Sequence, residues 1–140
     1  MNLLDTLQVT VSGLTAQRLR LQTVASNMAN ARTTRTEEGG PYRRQVPVFE
    51  AVRDDPFGSD LDRAMARVEV MGVVETDDPP VMVHDPGHPD ADAEGYVAYP
   101  NVNVLEEMVD MMTTARSYEA NANVLEVTDS MANTALEIGR

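Results

Sequence analysis

The sequence predicts an α+β fold, with long N- and C-terminal helices forming a coiled-coil-like pair and a small central β-containing domain. Apolar residues recur at alternating three- and four-residue steps at both ends of the chain. The stretch between, about 70 residues, loses that period and breaks into short apolar runs separated by Gly, Pro and Asp. A total of 140 residues suits one compact domain or a small domain carrying helical extensions. These observations divide the chain into an N-terminal helix at 1–32, a β-rich centre at 33–100 and a C-terminal helix at 101–140.

In the first segment Leu4, Leu7, Val11, Leu14, Arg18, Leu21, Ala25 and Met28 follow a nearly heptad rhythm, and only Arg18 is polar. Asn2 is placed to cap the start. The pattern fades across 26–34, and Asn30 is expected to end the helix in the left-handed conformation that asparagine tolerates.

Gly39-Gly40-Pro41 reads as a turn, followed by an extended segment at 43–52 whose Pro47 makes it an edge strand. Residues 66–76 and 81–84 are further strands, separated by Asp77-Asp78-Pro79-Pro80, and 96–99 is a fourth. Residues 54–62 read as a loop.

The last segment repeats the design of the first. Val104, Met108, Met111, Ala115, Tyr118, Ala122, Leu125, Asp129, Ala132 and Leu136 alternate four and three, with only Asp129 polar. Asn103 and Glu106 form a capping-box pair after Pro100, Glu106 and Glu107 suit the positive helix end, and Gly139 closes the helix. Such a helix would be roughly 50 Å long. Leu105, Val109, Met112, Val124, Val127, Met131 and Ile138 widen its apolar surface beyond what one neighbour covers, so further neighbours are expected from other subunits. Four of the nine methionines lie here, and their flexible side chains suit non-identical packing partners. With antiparallel pairing that sets Asn30 near Asn103, Arg18 and Asp129 do not meet within one chain. Each is expected on a solvated edge or across a subunit boundary.

Composition narrows the function. Lys+Arg 11 against Asp+Glu 23 gives a net charge of -12, against the basic footprint that nucleic acid requires. Four Tyr, two Phe and no Trp leave no stacking platform for single strands. With no cysteine there is neither a disulfide framework nor a thiolate metal site, and two histidines leave little acid–base machinery. A non-enzyme without cofactor or metal is expected. The first seventeen residues hold Asp5 and no basic residue, so no cleaved secretory signal is expected. The apolar runs fall short of the ~20 residues that span a bilayer, so neither is stable membrane insertion. Charge is segregated: residues 1–53 hold seven Arg and four acids, whereas 68–115 hold eleven acids and no base. A solvated acidic face explains this, and so does head-to-tail contact between copies.

The densest set of ligand-type residues is the run with His84, Asp85, His88, Asp90, Asp92 and Glu94. Asp90, Asp92, Glu94 and Gly95 match the first half of a calcium loop, but position twelve is Asn101 and no helix enters. Prolines 86 and 89 remove the helical meaning of the His84–His88 spacing. A small metal-binding or carboxylate-based enzyme centred here is the alternative to a structural role, and calorimetry with calcium, zinc and manganese discriminates the two.

Ser12-Gly13-Leu14-Thr15-Ala16-Gln17, with Ala25-Ser26-Asn27-Met28-Ala29-Asn30-Ala31, resembles the N-terminal signature of bacterial flagellar rod and hook proteins. Pro41-Tyr42-Arg43-Arg44, His84-Asp85-Pro86-Gly87-His88-Pro89-Asp90-Ala91 and Tyr99-Pro100-Asn101-Val102-Asn103 resemble a proximal-rod member of that family. So do Glu107-Met108-Val109-Asp110-Met111-Met112 and Arg116-Ser117-Tyr118-Glu119-Ala120-Asn121. His84 stands where an aromatic is expected. The resemblance implies a structural subunit of the basal-body rod in the periplasm, exported through the flagellar type III apparatus. It implies as partners further copies of itself, other rod proteins and the adaptor between rod base and MS ring. Terminal helices would form the inner tube of the drive shaft, with the β-containing domain outside.

On this reading the subunit interface carries Leu7, Leu14, Leu21 and Met28 from the first helix, and Met108, Met111, Met112, Tyr118 and Leu125 from the second. Leu21→Asp or Met112→Asp is expected to abolish incorporation, and a dilute monomer to show well under half of the encoded helix.

Overall fold

The computed structural model describes residues 3–52 and 66–138. The element order is α1 (Leu3–Ala29), β1 (Gln45–Val52), β2 (Arg67–Glu75), β3 (Val81–His84), β4 (Tyr96–Tyr99) and α2 (Val104–Ile138). The fold is α+β with terminal helices. The expected cap at Asn2, the side chain of Leu4, the loop at 54–62 and the stop at Gly139 lie outside the residues described.

The two helices run antiparallel. Asn27 bonds to Glu107, and the space above Gly13 is filled by the Asn121 side chain. That register keeps Arg18 and Asp129 apart, and both are exposed.

The strands pair as two separate antiparallel hairpins, β1 with β2 and β3 with β4. Among the described residues β1 has a strand partner on one side only, which tolerates Pro47 opposite Val73. A bulge between Val48 and Phe49 leaves Met71 outside the ladder, next to Gly72 at φ 151. α1 packs against α2 and both strands of the first hairpin. Among the described residues the second hairpin packs on no other helix or strand, and is tied down through its loop instead.

The helix ends depart from expectation in two details. Among the described residues only glycines have positive φ, so Asn30 does not close α1 in the left-handed conformation. Its side-chain amide adds a second donor to the Ser26 carbonyl, which already accepts from the Asn30 N–H, and its Oδ1 accepts from Thr33. At the start of α2, Asn103 Oδ1 accepts from the Leu105 N–H at 3.1 Å, while Glu106 accepts from the Asn103 side-chain amide at 3.0 Å. The cap is present, but the reciprocal half of the box runs side chain to side chain.

The larger correction concerns the helix–helix seam. Among the described residues the buried apolar side chains are only Ala16, Val24 and Val97. The buried positions of α2 are Glu107, Thr114 and Thr128, which fall with Asn121 on one line at seven-residue spacing. Of the apolar rhythm expected to face α1, Met111, Ala115, Ala122, Leu125 and Ala132 are half-buried beside that line. Val104, Met108 and Leu136 are exposed. The intrachain seam is therefore set one helical position away from the apolar stripe. Threonine permits this because its hydroxyl bonds back into its own helix, Thr128 to Val124 at 2.7 Å and Thr23 to Leu19 at 3.0 Å.

Candidate functional site

Because polar and small residues take the most buried positions of the helix contact, many large apolar side chains of α2 are left on the outside. They form two patches on α2. The first, at Leu105, Met108, Val109 and Met112, is led by Leu105 at 73% exposure. The second, at Val124, Val127, Met131, Leu136 and Ile138, ends with Ile138 at 82%. Thr113, Arg116, Glu119, Ala120 and Asn123 are exposed between them, so the surface is interrupted by about three mostly polar turns.

The nine residues expected at an interface distribute unevenly. Met108, Met112 and Tyr118 are exposed. Met111 and Leu125 on α2, and Leu7, Leu14, Leu21 and Met28 on α1, are half-buried within their own chain. Among the described side chains of α1 the exposed large apolar residue is Val11, and Arg18 and Arg20 are exposed as well. On α2 the exposed ions are mostly acidic: Glu106, Asp110, Glu119, Glu126, Asp129 and Glu137, against Arg116. The two helices thus present surfaces of opposite sign.

Beneath the first patch lies a polar clasp that sequence reasoning missed. Glu107 is 1% exposed and takes Arg44 Nε at 2.7 Å on one oxygen and Asn27 Nδ2 at 3.2 Å on the other. Asn27 also donates to the Gln45 carbonyl and accepts from the Gln45 N–H, both at 2.9 Å, as an added rung on β1. Tyr42 donates to Asn27 Oδ1 at 2.9 Å and lies 3.3 Å from Ser26 Oγ. The end of α1, the start of β1 and the first turn of α2 are thereby joined through one asparagine. A buried ion pair needs such extra hydrogen bonds to offset its desolvation. The motif residues Ser26 and Asn27 were singled out without a role. Arg44 and Glu107, far apart in the chain, carry no spacing signal that would pair them.

The acidic loop is occupied with its own backbone. Asp85 accepts from the Gly87 N–H, and Asp92 accepts from the Glu94 and Tyr96 N–H groups. Asp90 accepts from Thr34 at 2.8 Å and pairs with Arg35 at 3.6 Å, tying the loop to the segment after α1. His88 Nδ1 accepts from the Asp90 N–H, and the ring sits edge-on to Tyr99. His84 meets Tyr96 edge to face at 5.1 Å, so it packs as the expected aromatic would. Pro86 and Pro89 are exposed, Pro100 is buried, and Asn101 donates to the Pro79 carbonyl. Among the described residues no cluster of His and carboxylates is disposed to hold a metal ion. Nor is any helix among them long and apolar enough to cross a membrane.

Comparison with known proteins places these features in a family. Residues 93–138 match the family described as "Flagellar basal body rod FlgEFG protein C-terminal", and residues 7–35 the one described as "Flagella basal body rod protein". The chain is 42% identical to the flagellar basal-body rod protein FlgC of Bacillus subtilis, with all of both chains covered. It is 41% identical to FlgC of Borreliella burgdorferi over 99% of this chain and 98% of that one. It is 42% identical to FlgC of Escherichia coli O157:H7 over the whole of each.

Proposed function

Since this chain belongs to the FlgC family of flagellar basal-body rod proteins, and is therefore a structural subunit of the rod, we propose that it works by burying its two α2 patches against neighbouring subunits. The observation that carries this reading is the inversion of the helix pair, polar residues inside and large apolar residues outside.

Magnitudes favour a cooperative contact. Leu105, Val109, Met112, Met131, Leu136 and Ile138 are each more than half exposed. Burying one such side chain fully is worth about 1.5–3 kcal/mol, so the six offer roughly 9–18 kcal/mol. Association costs about 4–15 kcal/mol in lost freedom. The surplus is small enough that both patches must be covered together, which restricts addition to a growing end where several neighbours already stand. The partners we assign are further copies of this chain, the other rod proteins and the adaptor between rod base and MS ring. The subunit reaches the periplasmic rod through the flagellar export apparatus. The helices at 1–32 and 101–140 form the inner tube of the drive shaft, and the β-rich centre at 33–100 lies outside it. Opposite charge on α1 and α2 supports head-to-tail contacts, the geometry that extends into a filament when the rotation does not close. Catalysis has no part in this scheme: in the 84–94 loop Asp85 and Asp92 cap turns and Asp90 is held by Thr34 and Arg35.

Met112→Asp tests the reading. It removes about 2 kcal/mol of burial and adds a desolvation cost of several kcal/mol at the interface, while its exposed position leaves the free subunit folded. The variant is expected to be expressed and soluble yet missing from purified basal bodies. Wild-type amounts of it in those preparations would refute the scheme.

A further inference from the structure

We propose that the Asn27–Glu107–Arg44 clasp is the pin that selects the register of α1 against α2; the inference rests on the assembly reading, because register decides where the two apolar patches stand. The remainder of the seam carries little register information. Glu107, Thr114, Asn121 and Thr128 recur every seven residues, so moving α2 along α1 by one heptad replaces one small or polar residue by another. Thr23 and Thr128 satisfy their hydroxyls inside their own helices and ask nothing of the facing one. Gln17, one turn from Gly13, leaves its Oε1 buried without a hydrogen-bond partner, so it does not reward the native alignment. Full burial of apolar side chains on α1 is confined, among the described residues, to Ala16 and Val24, while Leu14, Leu21, Met28, Met111 and Leu125 are only half-buried.

The clasp, by contrast, fits one alignment only. Glu107 supplies two oxygens to two different donors, and those donors are fixed by β1: Arg44 precedes the strand and Asn27 is bonded to both backbone groups of Gln45. Sliding α2 by a heptad would set Thr114 opposite Asn27 and leave Arg44 without its carboxylate. A single buried polar group that fixes helix register at some expense of stability is a known device in coiled coils. The Thr34–Asp90 bond tethers the second hairpin to the segment after α1, but it contacts neither helix seam. Arg44 and Glu107 are positioning residues for assembly.

The chain has no cysteine, which gives a clean background for disulfide mapping. Gly13→Cys with Asn121→Cys reports the native register, because a Cβ on Gly13 would lie 3.1 Å from the Asn121 amide. Gly13→Cys with Thr114→Cys, or with Thr128→Cys, reports the two slipped registers. In the otherwise unchanged full-length chain only the first pair is expected to oxidise efficiently. Adding Glu107→Met should lower its yield about fivefold or more and raise one slipped pair. Glu107→Gln retains an acceptor for Asn27 and should recover most of the native yield. An unchanged native cross-link in the Glu107→Met chain would overturn the inference. Loss of the native cross-link with no gain in either slipped pair would overturn it too, since the clasp would then hold the helices together without choosing their register. Neither outcome touches the assembly reading, which stands or falls with Met112→Asp in basal bodies.

Discussion

Glu107→Ala and Thr128→Val remove polar groups from the same buried line, and they are expected to behave oppositely. Losing Glu107 strands Arg44 beside a space with no anion and takes an acceptor from Asn27, which should cost about 3–5 kcal/mol. Arg44 retains some access to water, so the lower end of that range is expected. Thr128 donates only to Val124 of its own helix, and valine reproduces its shape. That change should stay within about 0.5 kcal/mol in urea denaturation. Comparable losses for both would contradict the distinction between a clasp and a filler. Individual residues were the least legible part of the sequence. Asn27 could be marked as part of a motif, yet its four hydrogen-bond partners come from the 42–45 segment and α2, which no local pattern brings together. His84 is the opposite case. Its ring takes the place of an aromatic against Tyr96, a substitution that shape alone explains.

Elements were far more legible than the faces they bury. β3 and β4 fall where alternation and the flanking Asp, Pro and Gly put them, and β1, β2 and both helices begin or end within two residues of the expected positions. Local chemistry decides those boundaries: Pro100 stops extension, Asn103 caps α2, and Asn30 draws the Ser26 carbonyl. Asn103→Ala is accordingly expected to destabilise the chain by about 1 kcal/mol, visible as a lower urea midpoint with unchanged slope. No shift in midpoint would mean that Glu106 and Glu107 hold the first turn without the cap. The face of α2 was misread because a seam is judged from sequence by its apolar residues. Here the line facing α1 is Glu107, Thr114, Asn121 and Thr128, while Met108 and Met112 point outward. An assembling subunit separates the two meanings of an apolar stripe, own core and neighbour's core. Sequence periodicity reports their sum.

At the scale of the whole molecule, a 27-residue and a 35-residue helix are held together by a thin, mostly polar seam. The clasp secures one end of that seam, and nothing comparable among the described residues secures the other. Isolated helical segments of about 12–15 residues are marginal in water. In a dilute monomer the halves nearest Asn27 and Glu107 should therefore persist, while residues before Gly13 and after Asn121 fray. Circular dichroism is expected to show clearly less helix than the two full lengths, recovering on assembly, and slow amide exchange at both far ends would contradict this. The clasp raises the expected monomer helix above what the seams alone would support. Charge governs how the frayed ends find their neighbours. Arg18 and Arg20 stand exposed on α1, whereas α2 exposes six acids along its length. Head-to-tail contact brings these together, and isologous pairing of α2 with α2 would oppose like charges across the apolar patches. Exposed charges are screened over about 10 Å at 0.1 M salt and about 3 Å at 1 M. Self-association followed by light scattering should therefore slow by roughly tenfold on raising salt from low to high, with the burial of apolar surface retained at equilibrium. Arg18→Glu should abolish that salt dependence and slow association at every salt concentration. Faster assembly with added salt would instead reveal repulsion between the associating surfaces, and would replace the head-to-tail arrangement with one that matches acid against acid.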